Sequence, residues 1–213
     1  MHASRIGKIL GEYSMRFVKS ALLASVLLAA LGSSSAMANE EYASSVIGFS
    51  SQWGSSSWGA IQALGAPDTF SYGDIPSAWA PAPSNGSLEF LSLGFLTPVY
   101  SSGAVIRETY GNGFVYQIDA IDTSGALHQV WSGVDTSAPG SPVDFAASWA
   151  TTTFQTAGLK IYVDTNHDLA TWEEIDSVKL VGQLTAPVPE PETYAMMLVG
   201  LAVLSGVARR RKS

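Results

Sequence analysis

The chain has 213 residues, a net charge of −7 at pH 7 and no cysteine. Between residues 39 and 187, only three basic residues accompany 15 acidic ones, which gives this stretch a net charge of −12. Nucleic acid is excluded as a partner, because contacts to phosphate groups need clustered cations. A disulfide framework is also excluded, so a hydrophobic core must stabilise the fold unaided.

The first 38 residues carry the pattern of a secretory signal peptide. A short basic segment begins at Met15, an apolar stretch follows over residues 21–31, and residues 36–38 form an A-x-A cleavage pattern. We therefore expect translation to start at Met15 and cleavage to follow Ala38. The alternative is an uncleaved membrane anchor, which the cleavage pattern disfavours.

Residues 39–185 predict a single all-β domain. Short segments rich in β-branched and aromatic residues alternate with Gly, Pro, Ser and Asp, and this spacing is typical of a β-sandwich. Residues 39–85 are loop-rich, with one short helix expected over residues 58–64. Residues 186–192 form a proline-rich linker. The expected strands cover residues 88–95, 104–110, 114–121, 127–131, 159–163 and 175–181.

Four segments of this domain resemble the galactose-binding-like jelly rolls, especially the scarf-type modules of pappalysin-like proteins. They are residues 63–68 (ALGAPD), 72–81 (YGDIPSAWAP), 105–110 (VIRETY) and 172–180 (WEEIDSVKL). The resemblance covers roughly residues 42–182 and implies a jelly-roll β-sandwich. It also implies adhesion to glycans or proteins, without a shared catalytic machinery.

The same resemblance implies a structural calcium ion between the loop after the first strand and a glutamate of the last strand. Those positions are occupied here by Asp68, with neighbouring carbonyl groups, and by Glu174. The usual Asp-Gly pair of the family is replaced by the sequence GAPD at residues 65–68. The alternative is that Asp68 caps a turn and Glu174 is a solvated strand residue. A run at residues 164–168 begins like an EF-hand loop but lacks its glycine and its final glutamate, so we reject an EF-hand.

Four aromatic residues cluster in the loop-rich half of the domain, namely Trp53, Trp58, Tyr72 and Trp79. Because aromatic faces stack on sugar rings, these residues form a candidate carbohydrate site. The alternative is that they fill the core or pack beneath the long loops.

The sequence predicts no catalytic residues. Glu173 and Glu174 are adjacent, so on a strand they point to opposite faces and cannot act together across one substrate. The two histidines of the domain lack the spacing of metal ligands. No nucleophile elbow, phosphate-binding loop or dinucleotide fingerprint is present.

The C-terminal segment has three parts in a fixed order. Pro189-Glu190-Pro191 is followed by an apolar run of 15 residues, 194–208, and by the basic residues Arg209-Arg210-Arg211-Lys212. Over residues 193–213 we predict a transmembrane helix, whose effective length the long basic side chains extend. Its basic end is expected to stay in the cytoplasm. The alternative is a buried helix of a soluble fold.

This three-part order resembles the PEP-CTERM sorting signal of exopolysaccharide-producing Gram-negative bacteria. The resemblance implies processing by an exosortase, a membrane-embedded cysteine protease or transpeptidase, during a transient stay in the inner membrane. We therefore predict an exported protein of the cell surface or extracellular matrix that binds extracellular polysaccharide or matrix components. One alternative is a structural matrix protein that binds other proteins, and a weaker one is an enzyme acting on exopolysaccharide.

Overall fold

The computed structural model describes residues 38–187, 197–201 and 204. The predicted signal peptide, the sorting motif and most of the C-terminal apolar segment lie outside the described residues. Residues 197–201 and 204 are helical. Within the described ranges, no helix has both the length and the apolar character that a membrane crossing needs.

Residues 38–187 form an all-β domain with one short 3-10 helix, as the sequence predicts. The elements are β1 (Ala38–Tyr42), β2 (Ser45–Phe49), the helix η1 (Ala60–Ala63), β3 (Leu88–Tyr110), β4 (Val115–Asp122), β5 (Leu127–Ser132), β6 (Val143–Ser148), β7 (Thr156–Asp164) and β8 (Glu174–Gln183).

The strands form two antiparallel layers that share the long strand β3. One layer has the order β1-β8-β3-β6, and the other has the order β2-β3-β7-β4-β5. Residues 88–94 of β3 pair with β7, whereas residues 103–108 pair with both β6 and β8. The change of layer occurs around Pro98, which has no N–H to donate to a neighbouring strand.

The core lies between the two layers and is built from the alternating apolar side chains of the central strands. Each such side chain contributes about 1.5–3 kcal/mol through its removal from water. Packing is tight at Gly158 of β7, where a Cβ atom would lie 2.7 Å from Ile47 Cδ1 of β2, a strand of the same layer. Fully buried members of the core include Leu91, Leu93, Ile106, Ile118, Leu159, Ile161, Ile175 and Val178.

The sequence prediction differs from the structure in three places. Residues 88–95 and 104–110, predicted as two strands, belong to the single strand β3. Strands β1 and β2 lie in the region predicted to be loop-rich, and β6 was not predicted. All three of these missed strands pair at the edge of a layer, where short segments carry a weak alternation.

Candidate functional site

Three tryptophan side chains form a cleft at the loop-rich end of the domain. Trp53, Trp58 and Trp172 line this tryptophan cleft together with Asp74 and Ala80. The rings of Trp53 and Trp172 meet edge to face, with centroids 5.3 Å apart and an interplanar angle of 66°. Trp53 is 57 % exposed, so its ring is open to a ligand.

The backbone of residues 76–80 positions two of these tryptophans. The Trp53 N–H donates to the carbonyl of Ala80 at 2.9 Å, and the Trp58 N–H donates to the carbonyl of Pro76 at 3.0 Å. In return, the Ala80 N–H donates to the carbonyl of Trp58 at 3.2 Å. Trp53 and Trp58 are therefore both held against the segment 76–80 by backbone hydrogen bonds.

Trp58 has an unusual backbone conformation. Its φ of 52° lies in the left-handed region, and it is the one residue other than glycine with a positive φ in the described part of the chain. Such a conformation costs about 1–3 kcal/mol and persists where the surrounding structure imposes it. The chain is tightly packed beside Trp58, because a Cβ atom at Gly54 would lie 2.3 Å from the Ser57 carbonyl oxygen. Backbone strain at a ring that lines a cleft is typical of a functional site.

Trp172 reaches the cleft from the loop that precedes β8. The turn between β3 and β4 fixes this loop, because Gly111 has a φ of 63° and approaches it closely. A Cβ atom at Gly111 would lie 2.5 Å from the Trp172 carbonyl oxygen. Glycine is thus required at residue 111 both for its conformation and for the space that it leaves.

Two buried carboxyl groups lie next to the cleft at the start of β8. Glu174 is fully buried, and one of its oxygens accepts a hydrogen bond from the Ile75 N–H at 3.3 Å. Burial raises the pKa of Glu174 to about 8, and the neighbouring Asp74 adds to the rise. Burial also raises the pKa of Glu173 to about 8, with smaller contributions from Asp164 and Asp168.

The basic side chains of the described residues are all engaged away from the cleft. Arg107 contacts Asp144 at 3.1 Å, and Lys179 contacts Glu40 at 2.7 Å. The ammonium group of Lys160 lies 3.8 Å from the ring centroid of Phe90. The charges around the cleft are consequently those of carboxylates.

The four residues predicted to contact a glycan lie in different surroundings. Trp53 and Trp58 line the cleft, whereas Tyr72 packs edge-on against Tyr110 at 5.4 Å. The prediction is wrong for Trp79, which is 0 % exposed and therefore offers no surface to a ligand.

The structure explains why Trp79 lies in the core. Its indole N–H donates to the Ser51 carbonyl at 3.2 Å, and its backbone exchanges two hydrogen bonds with Ile175 at 2.8 and 3.0 Å. Trp79 thereby anchors the loop to β8. Trp172 was not among the predicted contacts, because nothing local shows that residues 53 and 172 meet.

The two predicted calcium ligands face different partners. Asp68 is exposed and lies beside Asp176, whose oxygen accepts a hydrogen bond from the Thr69 N–H at 3.1 Å. Glu174 lies instead beside Asp74, and its full burial excludes the alternative of a solvated strand residue. No group of three or more His, Cys, Asp or Glu side chains arranged for a metal ion occurs among the described residues.

A further pair of acidic side chains lies at the turn between β3 and β4. Glu108 is fully buried and accepts a hydrogen bond from the Gly113 N–H at 2.9 Å, while Asp135 accepts one from the Ser137 N–H at 2.9 Å. Burial raises the pKa of Glu108 to about 10, and the adjacent Asp135 adds to the rise. Glu108 therefore keeps its proton at neutral pH.

Comparison with known proteins supports both the tail and the fold. Residues 187–212 match the family model of the PEP-CTERM protein-sorting motif. The chain thus carries the sorting motif that the sequence predicted, and this motif marks an exported protein that is processed by an exosortase and sorted to the cell envelope or surface. No curated protein sequence matches the chain.

Several solved structures share the fold at low sequence identity. A truncated AlyQ with CBM32 and alginate lyase domains superposes with a TM-score of 0.50 at 14 % identity, covering 73 % of this chain and 36 % of that one. Reduced XRCC1, bound to the DNA pol beta catalytic domain, superposes with a TM-score of 0.51 at 14 % identity, covering 70 % and 100 %. The family 32 CBM from C. perfringens NanJ, in complex with galactose, has a TM-score of 0.49 at 16 % identity, covering 67 % and 99 %.

The first two superpositions show the fold alone. Together with the observed strands, they support the expected all-β sandwich of the jelly-roll type. This chain spans about a third of the length of the AlyQ structure, so the activity of that longer protein is not thereby assigned to it.

Proposed function

We propose that this protein is an exported, non-catalytic glycan-binding protein that uses the tryptophan cleft to hold extracellular polysaccharide. The observation that carries the proposal is the meeting of three indole rings at one open cleft. Tryptophan supplies a large apolar face at little cost in conformational entropy, which suits the faces of sugar rings. The presence of a carbohydrate-binding module in a structure of the same fold supports this choice of ligand.

The cleft is suited to binding rather than to bond cleavage. Asp74 lines it, and the nearest acidic neighbour, Glu174, is fully buried. A glycosidase needs two carboxyl groups that flank the scissile bond on opposite sides. Here Asp74 and Glu174 lie beside each other, so they do not form that arrangement.

Polysaccharide binding by the purified full-length protein in detergent tests the proposal. We expect replacement of Trp53, Trp58 and Trp172 by alanine to reduce the affinity for extracellular polysaccharide at least about thirtyfold, because interfacial tryptophans are commonly dominant contacts. Trp131→Ala is the matched control, since Trp131 packs against Phe145 on the strands. Unchanged binding by the triple variant would instead favour a structural matrix protein with another contact surface.

The proposed export route includes a transient transmembrane stage. In this proposal, residues 193–213 form a membrane-spanning helix, and Pro189-Glu190-Pro191 is the peptide that the exosortase recognises in the inner membrane. Two prolines keep such a peptide extended and remove backbone donors, which suits a protease groove.

Replacement of Pro189, Glu190 and Pro191 by alanine tests this route. We expect the variant to accumulate in the inner membrane, as measured by fractionation and immunoblotting. Thr185→Ala, just outside the matched segment, is the control and should be sorted normally. Normal release of the triple variant would contradict the proposed role of the motif.

A structural calcium ion is a further part of the proposal. The residues that fit it are Asp68 and Asp176, because these two carboxyl groups lie side by side and one oxygen of Asp176 is buried without a partner among the described residues. Oxygen ligands of this kind are those that calcium prefers. Bound there, the ion would neutralise the pair and tie the loop at residue 68 to β8.

A further inference from the structure

The chemistry of the tryptophan cleft points to the charge of its ligand. We infer that the cleft binds a protonated amine carried by a sugar, and that it thereby selects amino sugars over neutral sugars and uronic acids. The inference rests on the proposed function, because it takes the ligand to be a glycan and adds the chemical group that the cleft recognises.

The geometry of the rings is the first reason. Trp53 and Trp172 are inclined at 66°, so they form a corner rather than a flat platform. A neutral sugar ring stacks best on a flat aromatic face, whereas a compact cation is stabilised by several faces around it. The face of an indole ring carries negative potential and is the best of the aromatic side chains for attracting a cation.

The carboxylate in the cleft is the second reason. Asp74 is an exposed residue that lines the same cleft as the three rings. A carboxylate beside aromatic faces complements an ammonium group through both charge and hydrogen bonding. An ammonium group can therefore contact both the aromatic faces and the carboxylate. A neutral hydroxyl group can donate a hydrogen bond to the carboxylate but gains no charge attraction from either partner.

The distribution of cations is the third reason. Arg107, Lys160 and Lys179 each contact groups outside the cleft, and the described range 39–187 contains no further Lys or Arg. A uronic acid placed in the cleft would meet Asp74 without any compensating positive charge. Repulsion of this kind is an effective way to exclude a competing ligand.

Three oligosaccharides of equal length test the inference with the full-length protein in detergent. They are a glucosamine tetrasaccharide, its fully N-acetylated counterpart and a uronate tetrasaccharide, titrated at pH 5.5 and low salt by calorimetry and tryptophan fluorescence. We expect the amine form to bind about tenfold more tightly than the acetylated form, a ratio that corresponds to about 1.4 kcal/mol. The uronate is expected to bind most weakly.

Asp74→Asn should reduce the tenfold ratio between the amine and acetylated forms to about twofold, and added salt should act in the same direction. Asp144→Asn is the matched control, because Asp144 is an exposed carboxylate that pairs with Arg107 on the strands, and it should leave the ratio unchanged.

Each outcome of this experiment decides one of the two proposals. Equal or tighter binding of the acetylated or uronate form would overturn the inference and leave the glycan-binding proposal standing. A tenfold ratio that survives Asp74→Asn would also overturn it. Binding of none of the three oligosaccharides, in a protein that binds no extracellular polysaccharide either, would overturn both.

Discussion

The open tryptophan cleft and the core directly beside it use the same residue type in opposite ways. Trp53 and Trp58 line the cleft, whereas Trp79 is fully buried and binds the backbone of β8. All three lie in one loop-rich stretch of sequence, and the segment that carries Trp79 also holds Trp53 and Trp58 in place. The cleft and the core therefore depend on one short segment, but through different side chains.

The largest expected effect is a loss of stability when the buried Trp79 is replaced. Trp79→Ala should lower the free energy of unfolding by about 3–5 kcal/mol, because it leaves a large cavity and removes a buried hydrogen bond. Chemical denaturation monitored by circular dichroism measures this loss. Trp79→Phe, which keeps much of the volume, should cost less. A loss below about 1 kcal/mol for the alanine variant would contradict the structural role of Trp79.

Replacement of the exposed Trp53 is expected to reduce ligand affinity and to leave stability nearly unchanged. Trp53→Ala should reduce polysaccharide affinity about tenfold, while the free energy of unfolding changes by no more than about 0.5 kcal/mol, because the side chain is largely exposed. Calorimetric titration and a denaturation curve measure the two quantities on one sample. If stability falls and affinity does not, Trp53 is a folding residue and the distinction from Trp79 fails.

The buried carboxyl group of Glu108 makes the free energy of unfolding depend on pH, which tests the core independently of the cleft. Folded Glu108 keeps its proton up to about pH 10, whereas the unfolded chain releases it near the ordinary pKa of 4.5. The folded state therefore binds more protons between these values, so the stability from this group is complete in acid and declines as the pH rises. Glu108→Gln keeps the acceptor for the Gly113 N–H but does not titrate. It should exceed the wild type in stability at pH 9 by at least about 1.4 kcal/mol and match it near pH 4.

Glu89→Gln provides a control of opposite sign. Burial alone would raise the pKa of Glu89, but hydrogen bonds from Ser50, Ser87 and Ser51 lower it below its ordinary value. The carboxylate therefore stabilises the fold above about pH 4.5, and that contribution is lost in acid. We expect the glutamine variant to be less stable than the wild type at pH 7 and to approach it as the pH falls. A flat pH profile of stability for both variants would contradict the two assignments.

The smallest effect is expected for calcium. At 1 mM calcium we expect the free energy of unfolding to rise by about 1 kcal/mol, the size that a weak extracellular site provides. Asp176→Asn should abolish the increase, whereas Glu174→Gln should retain it, because Asp176 and not Glu174 lies beside Asp68. Thermal melts with and without a chelator measure the difference. An unchanged midpoint in the wild type would remove the ion from the proposal.

Part of the candidate site was predictable from the sequence and part was not. The aromatic content of residues 53–79 identified the region, and two of its members do line the cleft. The sequence prediction did not separate exposed Trp53 from buried Trp79, although Trp53 lies between Gln52 and Gly54 and Trp79 lies between Ala78 and Ala80. Trp172 could not be predicted either, because it reaches the cleft from a distant segment that the Gly111 turn positions.

The sequence by itself determined the all-β class and the sorting tail. Both are local properties, since alternation along a strand needs only neighbouring residues and a sorting peptide is read by another enzyme as a linear segment. Only the tertiary structure decided which tryptophans line the cleft and that Asp176 rather than Glu174 lies beside Asp68. The physical reason is that contacts between distant segments depend on strand register and loop path. A shift of two residues along β8 keeps a side chain on the same face but changes the neighbour that it meets.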